Sequence, residues 1–228
     1  GRLQPAEMAT ERTMDSTVIV ENIAIALDQM GAAWVLWLLV GLSVVSVAMV
    51  IERVLFMRRN HVPVDQLQSK LLGALDNSPD EAAALLKAFS GMEAQVALGG
   101  VEQLHRGATA VDQIMQSRVA VETQRYERFL GFLGSLGSNA PFIGLLGTVI
   151  GIMGAFADLQ SGGGMGGERT QLIMGSISEA LVATAVGLLV AIPAVVSYNT
   201  LRGRVEATIA NTQALSGVVL SYASTQQR

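Results

Sequence analysis

The chain has 228 residues, of which 50% are hydrophobic and 15% are charged, and its net charge is −4. Because soluble domains carry about 25% charged residues, this composition predicts a membrane protein. The absence of cysteine excludes disulfides, thiolate metal sites and cysteine nucleophiles, and the acidic balance excludes the basic surface that nucleic-acid binding needs. His61 and His105 stand alone in polar segments, so we expect surface or capping roles, with no metal or cofactor.

The N-terminal part predicts a surface helix followed by a membrane span. Residues 1–31 are predicted to comprise a polar tail and a short amphipathic helix. The alternating apolar and polar positions of Thr17–Met30 are typical of a helix that lies on a membrane surface or on a neighbouring subunit. The stretch from Gln29 to Ile51 follows and carries no charge. Within it, residues 32–51 are predicted to cross the membrane. At 1.5 Å per residue, about 20 apolar residues cross the ~30 Å hydrocarbon core. We therefore predict the first transmembrane helix here.

Residues 52–128 are polar and contain no spanning run, which predicts a helical domain outside the membrane. Ser78-Pro79-Asp80-Glu81 is a capping box with proline at the first helical position, and it predicts a helix through Ala88. The last helix of the domain is expected to run from about Thr109 into the next apolar segment without a break. The glycines expected to separate the helices are Gly91, Gly99, Gly100 and Gly107.

Two further apolar segments predict the second and third transmembrane helices. Residues 129–157 carry no charge and exceed one bilayer in length, so the helix must project or bend, with Pro141 as the expected bend. A glycine-rich turn is predicted at 158–171. The third helix is predicted at 172–199, with Pro193 near its end, and Arg202 and Arg204 are expected to stop it before a C-terminal helix at 200–228.

The basic residues predict the topology. Of the 15 Lys and Arg residues, 12 fall in the segments after the first and third spans. Because cytoplasmic segments carry the excess of Lys and Arg, these segments are predicted to be cytoplasmic and the N-terminus external.

Small residues follow one face of each of the last two spans. Because apolarity drives no association in lipid, such faces predict close contact between helices. On an ideal helix Thr148 lies within the glycine face of the second span. The residues that we assign to packing and bending are Pro141, Gly144, Gly147, Gly151, Gly187 and Pro193.

Glu179 is the single carboxylate inside the predicted spans. A charge at membrane depth costs a few kcal/mol, so such a residue is a candidate for a functional site. A structural hydrogen bond between subunits and an ion-linked role both remain open. Thr184 lies about 140° from Glu179 on an ideal helix, so the two need not share a site. Thr148 and Thr184 also have two interpretations, a polar pore lining or a hydroxyl bonded to the preceding turn.

The segments NAPFIGLLGTVIGIMGAF (Asn139–Phe156) and ISEALVATAVGLLVAIPAVVSYN (Ile177–Asn199) resemble the MotA/TolQ/ExbB proton-channel family. IERVLFMRRN (Ile51–Asn60) extends the resemblance to nearly the whole chain beyond about residue 30. MotA-type proteins have four spans, so three predicted spans favour the ExbB/TolQ branch, with ExbB the more similar. The N-terminal 30 residues match no family pattern.

The resemblance implies an all-α integral membrane protein of the bacterial inner membrane, with three spans and extended cytoplasmic helices. It implies a homopentamer whose second and third helices line a pore. A single-pass partner like ExbD or TolR would place an aspartate there, and proton flow would energise a TonB- or TolA-like protein. By the same resemblance the pore threonines correspond to Thr148 and Thr184, the helix-three glutamate to Glu179, and the helix prolines to Pro141 and Pro193.

The function predicted from the sequence is therefore a non-enzymatic proton-channel subunit for TonB-dependent transport across the outer membrane. The alternatives are a TolQ-like or motility subunit of the same family, or an oligomeric scaffold that only holds its partner. An intramembrane enzyme is disfavoured because the spans contain no nucleophile–base pair or metal cluster.

Overall fold

A computed structural model describes residues 33–160 and 167–226 of the chain. Throughout these residues the regular structure is helical, in agreement with the predicted all-α class. They include one 3₁₀ turn, at Leu104–Arg106. The predicted tail and amphipathic helix of residues 1–31 lie outside the described residues. The α-helices are α1 (Ala33–Arg59), α2 (Val64–Asn77), α3 (Pro79–Lys87), α4 (Met92–Val101), α5 (Ala108–Glu127), α6 (Leu130–Gln160) and α7 (Gly167–Thr225).

Three of the described helices, α1, α6 and α7, are long and apolar enough to cross a membrane. The described chain divides into two compact units, and these helices contribute residues to both. The first unit contains the described residues of 33–45, 135–160 and 167–194. Its core is small and is built from residues of all three helices: Val35, Leu39, Leu136, Ala140, Ile150, Val190, Ala191 and Ala194.

The second unit contains Ser46–Gly134 together with residues 195–226, and it is a helical bundle with a larger core. Leucines at Leu67, Leu71 and Leu75 follow the i, i+4 spacing that places side chains on one face of α2, and all three are buried. They pack in one cluster with Leu86 of α3 and Leu215 of α7. This unit includes the segment 52–128 together with the far part of α7, and the location of the segment outside the membrane stays a prediction.

The predicted start of α3 is confirmed. The Ser78 side-chain oxygen accepts a hydrogen bond from the Glu81 backbone N–H at 3.2 Å, and Pro79 is the first helical residue. The reciprocal bond of a capping box, from the Ser78 backbone N–H to the Glu81 side chain, does not form. The Ser78 backbone N–H donates instead to the Ala74 carbonyl at 2.9 Å. The helix ends at Lys87, one residue before the predicted end.

The prediction that Gly99 and Gly100 interrupt a helix is wrong. Both lie inside α4 and are buried. A methyl group at Gly100 would lie 2.6 Å from the Met115 sulfur of α5, so the glycine provides close packing between two helices. Gly91 and Gly107 do mark boundaries, since each immediately precedes a helix, and Gly107 has a positive φ of 86°.

The predicted continuity between α5 and the second span is also wrong. α5 ends at Glu127, Arg128 has non-helical backbone angles (φ −50°, ψ 134°), and Phe129 adopts a positive φ of 68° before α6 begins at Leu130. Arg53 of α1 donates a hydrogen bond to the Arg125 carbonyl at 2.9 Å, in the last turn of α5. The carbonyl end of α5 thus has a partner from outside the helix, and the chain turns there.

The third predicted helix does not stop at Arg202 and Arg204, because α7 continues to Thr225. Arg202 supports this continuation by bonding to residues one turn away on each side, Tyr198 at 2.9 Å and Glu206 at 3.0 Å. α6 extends to Gln160 and α7 begins at Gly167, so the helices include residues assigned to the turn at 158–171.

Candidate functional site

The helices α6 and α7 cross at two glycines. A methyl group at Gly144 would lie 2.7 Å from the Ala183 carbonyl oxygen and 3.2 Å from the Gly187 Cα. A methyl group at Gly187 would lie 2.7 Å from the Ala140 carbonyl oxygen and 3.1 Å from the Gly144 Cα. The two backbones are therefore in direct contact, which only residues without a side chain permit.

The same face continues along α6 through Gly147 and Gly151. A methyl group at Gly147 would lie 2.7 Å from the Ala183 Cβ of α7 and 3.1 Å from Val35 of α1. At Gly151 it would lie 2.6 Å from the Ala180 Cβ. The glycines of α6 thus receive the alanines of α7, and the small-residue faces form one continuous interface.

Thr148 lies on this glycine face and is buried. Its hydroxyl donates a hydrogen bond to the Leu145 carbonyl at 2.7 Å, within its own helix. This is the local arrangement that membrane threonines often adopt. The structure of the single chain therefore accounts for the Thr148 hydroxyl without a partner from outside.

Thr184 differs from Thr148 because its hydroxyl is buried and, among the described residues, has no hydrogen-bond partner. The residue lies at the glycine crossing, where its Cα would be 3.0 Å from a methyl group at Gly144. A buried polar group without a partner costs about 1–3 kcal/mol. The hydroxyl of Thr184 is therefore a covered polar group that no described residue of the single chain satisfies.

Glu179 is exposed in the single chain, next to Ala180, which packs on Gly151. Within the described part of the chain it forms no ion pair. A carboxylate exposed at membrane depth needs water or a polar neighbour to avoid the cost of burial in hydrocarbon. The structure brings neither Thr148 nor Thr184 into a hydrogen bond with Glu179, so the predicted pathway residues do not form one cluster within a chain.

The two predicted bend residues lie inside unbroken helices. Pro141 is within α6 and Pro193 is within α7. Because proline has no backbone N–H, the carbonyl four residues earlier loses its usual partner in each case. These are the carbonyls of Gly137 and Leu189.

Sequence reasoning missed a buried arginine at the end of α1. The side chain of Arg53 is only 2% exposed. The guanidinium pairs with the neighbouring Glu52 and lies 4.5 Å from the centre of the Phe56 ring and 5.5 Å from that of Phe129. The signal in the sequence was its position among the apolar residues of the last turns of α1.

Sequence reasoning also missed Glu93, which is 4% exposed near the start of α4. Burial raises the pKa of its carboxyl, while a bond to its own backbone N–H and the charge of His61 act in the opposite direction. The stretch MEAQVALGGV contains this single charge among apolar and small residues, which could have indicated burial.

Both histidines are exposed in the structure. Across the residues that the structure describes, no three His, Cys, Asp or Glu side chains could hold a metal ion.

These features define a helical membrane protein whose second and third apolar helices contact each other through glycine and alanine. Residues 87–214, more than half of the chain, match the family model described as the MotA/TolQ/ExbB proton channel family. The chain belongs to this family, which confirms the resemblance seen in the sequence.

Relatives from both parts of the ExbB/TolQ branch are similar to the chain. It is 33% identical over 184 residues to the Tol-Pal system protein TolQ of Pseudomonas aeruginosa, covering 75% of this chain and 78% of that protein. It is 30% identical over 167 residues to a putative biopolymer transport protein ExbB-like 3 of Synechocystis, covering 72% and 78%.

A shorter segment matches more strongly. Over 64 residues the chain is 59% identical to a putative biopolymer transport protein ExbB-like 2 of Helicobacter pylori, and this covers 28% of the chain. The match spans only 41% of the length of that relative.

Proposed function

We propose that the chain is a proton-channel subunit of the bacterial inner membrane that works with a single-pass partner like ExbD or TolR. Together they convert the proton-motive force into mechanical work for TonB-dependent transport across the outer membrane. One charge that crosses 100 mV releases about 2.3 kcal/mol, so several protons are needed for each unit of substantial work.

The observation that carries this proposal is the unpaired, buried hydroxyl of Thr184 at the α6/α7 crossing. A pore lining needs polar groups that are free to bond to water or to an entering chain. Thr184 has an unpaired hydroxyl, which would serve this role once the α6/α7 contact opens, and Glu179 on the same helix has an exposed carboxylate. The partner would supply the second carboxylate that a proton relay needs, since Glu179 is the single carboxylate inside the spans predicted from the sequence.

The proposed assembly is a homopentamer with its N-terminus in the periplasm and its C-terminus in the cytoplasm. Large apolar side chains on the spans support a surface covered by lipid or by other copies, because such side chains are exposed in the single chain. Examples with more than 60% of the side chain exposed are Phe142, Phe156, Leu181, Leu189 and Ile192. In this arrangement Thr148, Thr184 and Glu179 form repeated rings around the partner helices.

The test compares assembly and proton-driven activity in the same variants. We expect Glu179→Gln, and Thr184→Val, to form normal oligomers and to lose proton-driven activity, because each keeps its shape and loses one polar function. Thr184→Ser keeps the hydroxyl and should retain activity. Wild-type activity in both Glu179→Gln and Thr184→Val would contradict the channel function.

The scaffold function makes the opposite prediction from the same variants. A scaffold needs the glycine interface but no polar pathway, so it should tolerate Glu179→Gln and fail to assemble with Gly144→Leu or Gly151→Leu. Assembly and activity measured together therefore distinguish the two functions.

The client protein is a separate question, because the relatives include proteins of both biopolymer transport and the Tol-Pal system. Expression in strains that lack either their own ExbB-type or TolQ-type protein tests this. We expect restored TonB-dependent uptake. Restored envelope integrity without restored uptake would favour the TolQ-like alternative, and restored motility in a strain without its stator would favour the motility alternative.

A further inference from the structure

The second unit contains a cavity of about 450 Å³ that the proposed channel pathway does not use. The end of α1 and the turn after it form one wall, α7 forms another, and Glu93 of α4 and Tyr126 of α5 lie at the base. Arg58, His61 and Arg204 are exposed and lie at the opening, whereas Glu93 and Tyr126 are buried. A volume of this size holds several water molecules, since each occupies about 30 Å³ in the liquid.

Glu93 is the charged side chain at the base of this cavity, and its carboxyl is incompletely paired. Its Oε2 atom is buried and has no hydrogen-bond partner among the described residues. A methyl group at Gly91 would lie 3.1 Å from this oxygen and 2.5 Å from the Asn60 carbonyl. The absence of a side chain at Gly91 therefore lets the turn after α1 approach the start of α4 and the Glu93 carboxyl.

The surroundings of Glu93 favour its two protonation states for different reasons. Burial favours the neutral acid. The positive end of the α4 helix dipole favours the carboxylate, as do the nearby positive charges. The titratable and charged groups that face the cavity with Glu93 are Arg58, His61, Tyr126 and Arg204. Burial is the largest of these influences, so the pKa of the Glu93 carboxyl is raised above its ordinary value.

The walls also provide hydrogen-bond partners for water. Tyr126 accepts a hydrogen bond from the Met92 backbone N–H at 3.1 Å, which leaves its own hydroxyl proton free to donate. Asn60, Thr208 and Asn211 line the cavity with amide and hydroxyl groups. A buried water needs two to four polar partners, and these side chains supply them.

We propose that this cavity is a water-filled proton-binding site in which the Glu93 carboxyl takes up a proton from water and returns it. On release, the carboxyl O–H bond breaks, the proton passes to a water molecule as hydronium, and the carboxylate keeps the electron pair. Uptake is the reverse. An anionic ligand is disfavoured, because the buried Glu93 carboxyl would repel it whenever that carboxyl is ionised. A metal ion is disfavoured too, because a single carboxylate faces two arginines.

In the proposed channel, the Glu93 site would exchange protons between the subunit and the surrounding water. This role of the site rests on the proposed channel function. The Oε2 atom is covered in the resting structure, and only 4% of Glu93 is exposed. Rotation of the terminal carboxyl exchanges its two oxygens, and this torsion is broad and soft. Water access to the acid is thus a measurable requirement of the proposal.

The test is infrared spectroscopy of the full chain in lipid nanodiscs, titrated with pH in H₂O and in D₂O. The signal is the C=O stretch of a protonated carboxylic acid. We expect one such signal to disappear on raising the pH, with a midpoint above the ordinary value of 4.5. It should be absent from Glu93→Gln and present in Glu127→Gln, a matched variant of an exposed glutamate. It should also shift when D₂O replaces H₂O.

The proposal is overturned if the signal persists in folded Glu93→Gln, if its midpoint is at or below 4.5, or if D₂O leaves it unshifted. His61→Ala keeps the test decisive should Glu93→Gln fail to fold, because His61 is exposed and its electrostatic influence lowers the pKa of the Glu93 carboxyl. The midpoint should then rise, and an unchanged midpoint would refute the site. The measurement needs no partner chain, so it remains valid even if Glu179→Gln shows that the proposed channel function is wrong.

Discussion

A single methyl group at the crossing of α6 and α7 is predicted to destabilise the chain, although alanine is the better helix former. At Gly144 the new Cβ would lie 2.7 Å from the Ala183 carbonyl oxygen, whereas ordinary contact begins at 3.4 Å. The neighbouring atoms belong to the backbone, so no side-chain rotation relieves the contact. The helices must separate by several tenths of an ångström.

The net magnitude follows from two opposing contributions. Gly→Ala gains about 1 kcal/mol of helix propensity at an unhindered site. Overpacking of a close contact costs about 1–3 kcal/mol. Gly41 in α1 is the matched control, because a methyl group there meets no atom within 4 Å. We expect Gly41→Ala to be more stable than Gly144→Ala by about 2 kcal/mol, or about 4–8 °C in melting temperature for a chain of this size.

The assay is thermal unfolding in one detergent, followed by size-exclusion chromatography of each variant. Gly151 supplies a second comparison, since its Cβ would meet the Ala180 side chain at 2.6 Å and the Ala180 Cα only at 3.3 Å. Ala180→Gly should therefore rescue Gly151→Ala. Ala183→Gly should not rescue Gly144→Ala, because the contact at Gly144 is with a carbonyl oxygen.

Two results would refute this account of the interface. One is a Gly144→Ala variant that is as stable as Gly41→Ala. The other is rescue of Gly144→Ala by Ala183→Gly, which would mean that side chains rather than backbones set the distance between the helices.

Three further predictions concern the second unit. Ser78→Ala should lower the free energy of unfolding by about 1 kcal/mol, measured by chemical denaturation, because the Glu81 N–H loses its cap; Ser78→Asp should restore it. Tyr126→Phe should cost about 1–3 kcal/mol in the same assay, because the buried Met92 N–H loses its acceptor. Burial raises the pKa of Glu93, so the wild type should lose stability relative to Glu93→Gln as the pH rises from the ordinary value of 4.5 through the raised one. Melting temperatures of the two proteins that stay parallel from pH 4 to pH 7 would contradict the last prediction.

The spans and the helix cap were predictable because the signals that specify them are local. An uncharged run of about 20 residues implies a membrane helix wherever it occurs. Ser78 and Glu81 are three residues apart, so their bond forms within one turn. The small residues at Gly144, Gly151 and Gly187 indicated close helix contact because few other reasons favour glycine inside a span. The side of the membrane on which each segment lies stays a prediction.

Errors arose where distant residues decide the local structure. The helix is interrupted at Phe129 although the neighbouring residues favour helix. The Arg125 carbonyl, in the last turn before this interruption, accepts a hydrogen bond from Arg53, 72 residues earlier. Gly100 looked like a helix breaker, but it lies inside α4 because Met115 requires the space.

The sequence by itself determined the helical class, the three apolar spans and the family, because hydrophobic runs and motifs are properties of contiguous residues. Only the tertiary structure decided which polar groups are buried and which of them lack partners. Thr148 and Thr184 are the same residue type, each inside a predicted span. The Thr148 hydroxyl bonds within its own helix, whereas the Thr184 hydroxyl has no partner among the described residues. Glu93 lies in a polar segment of the sequence, and the packing of the helices buries its side chain. Burial and pairing depend on atoms from several helices, so they are defined only when those helices have packed together.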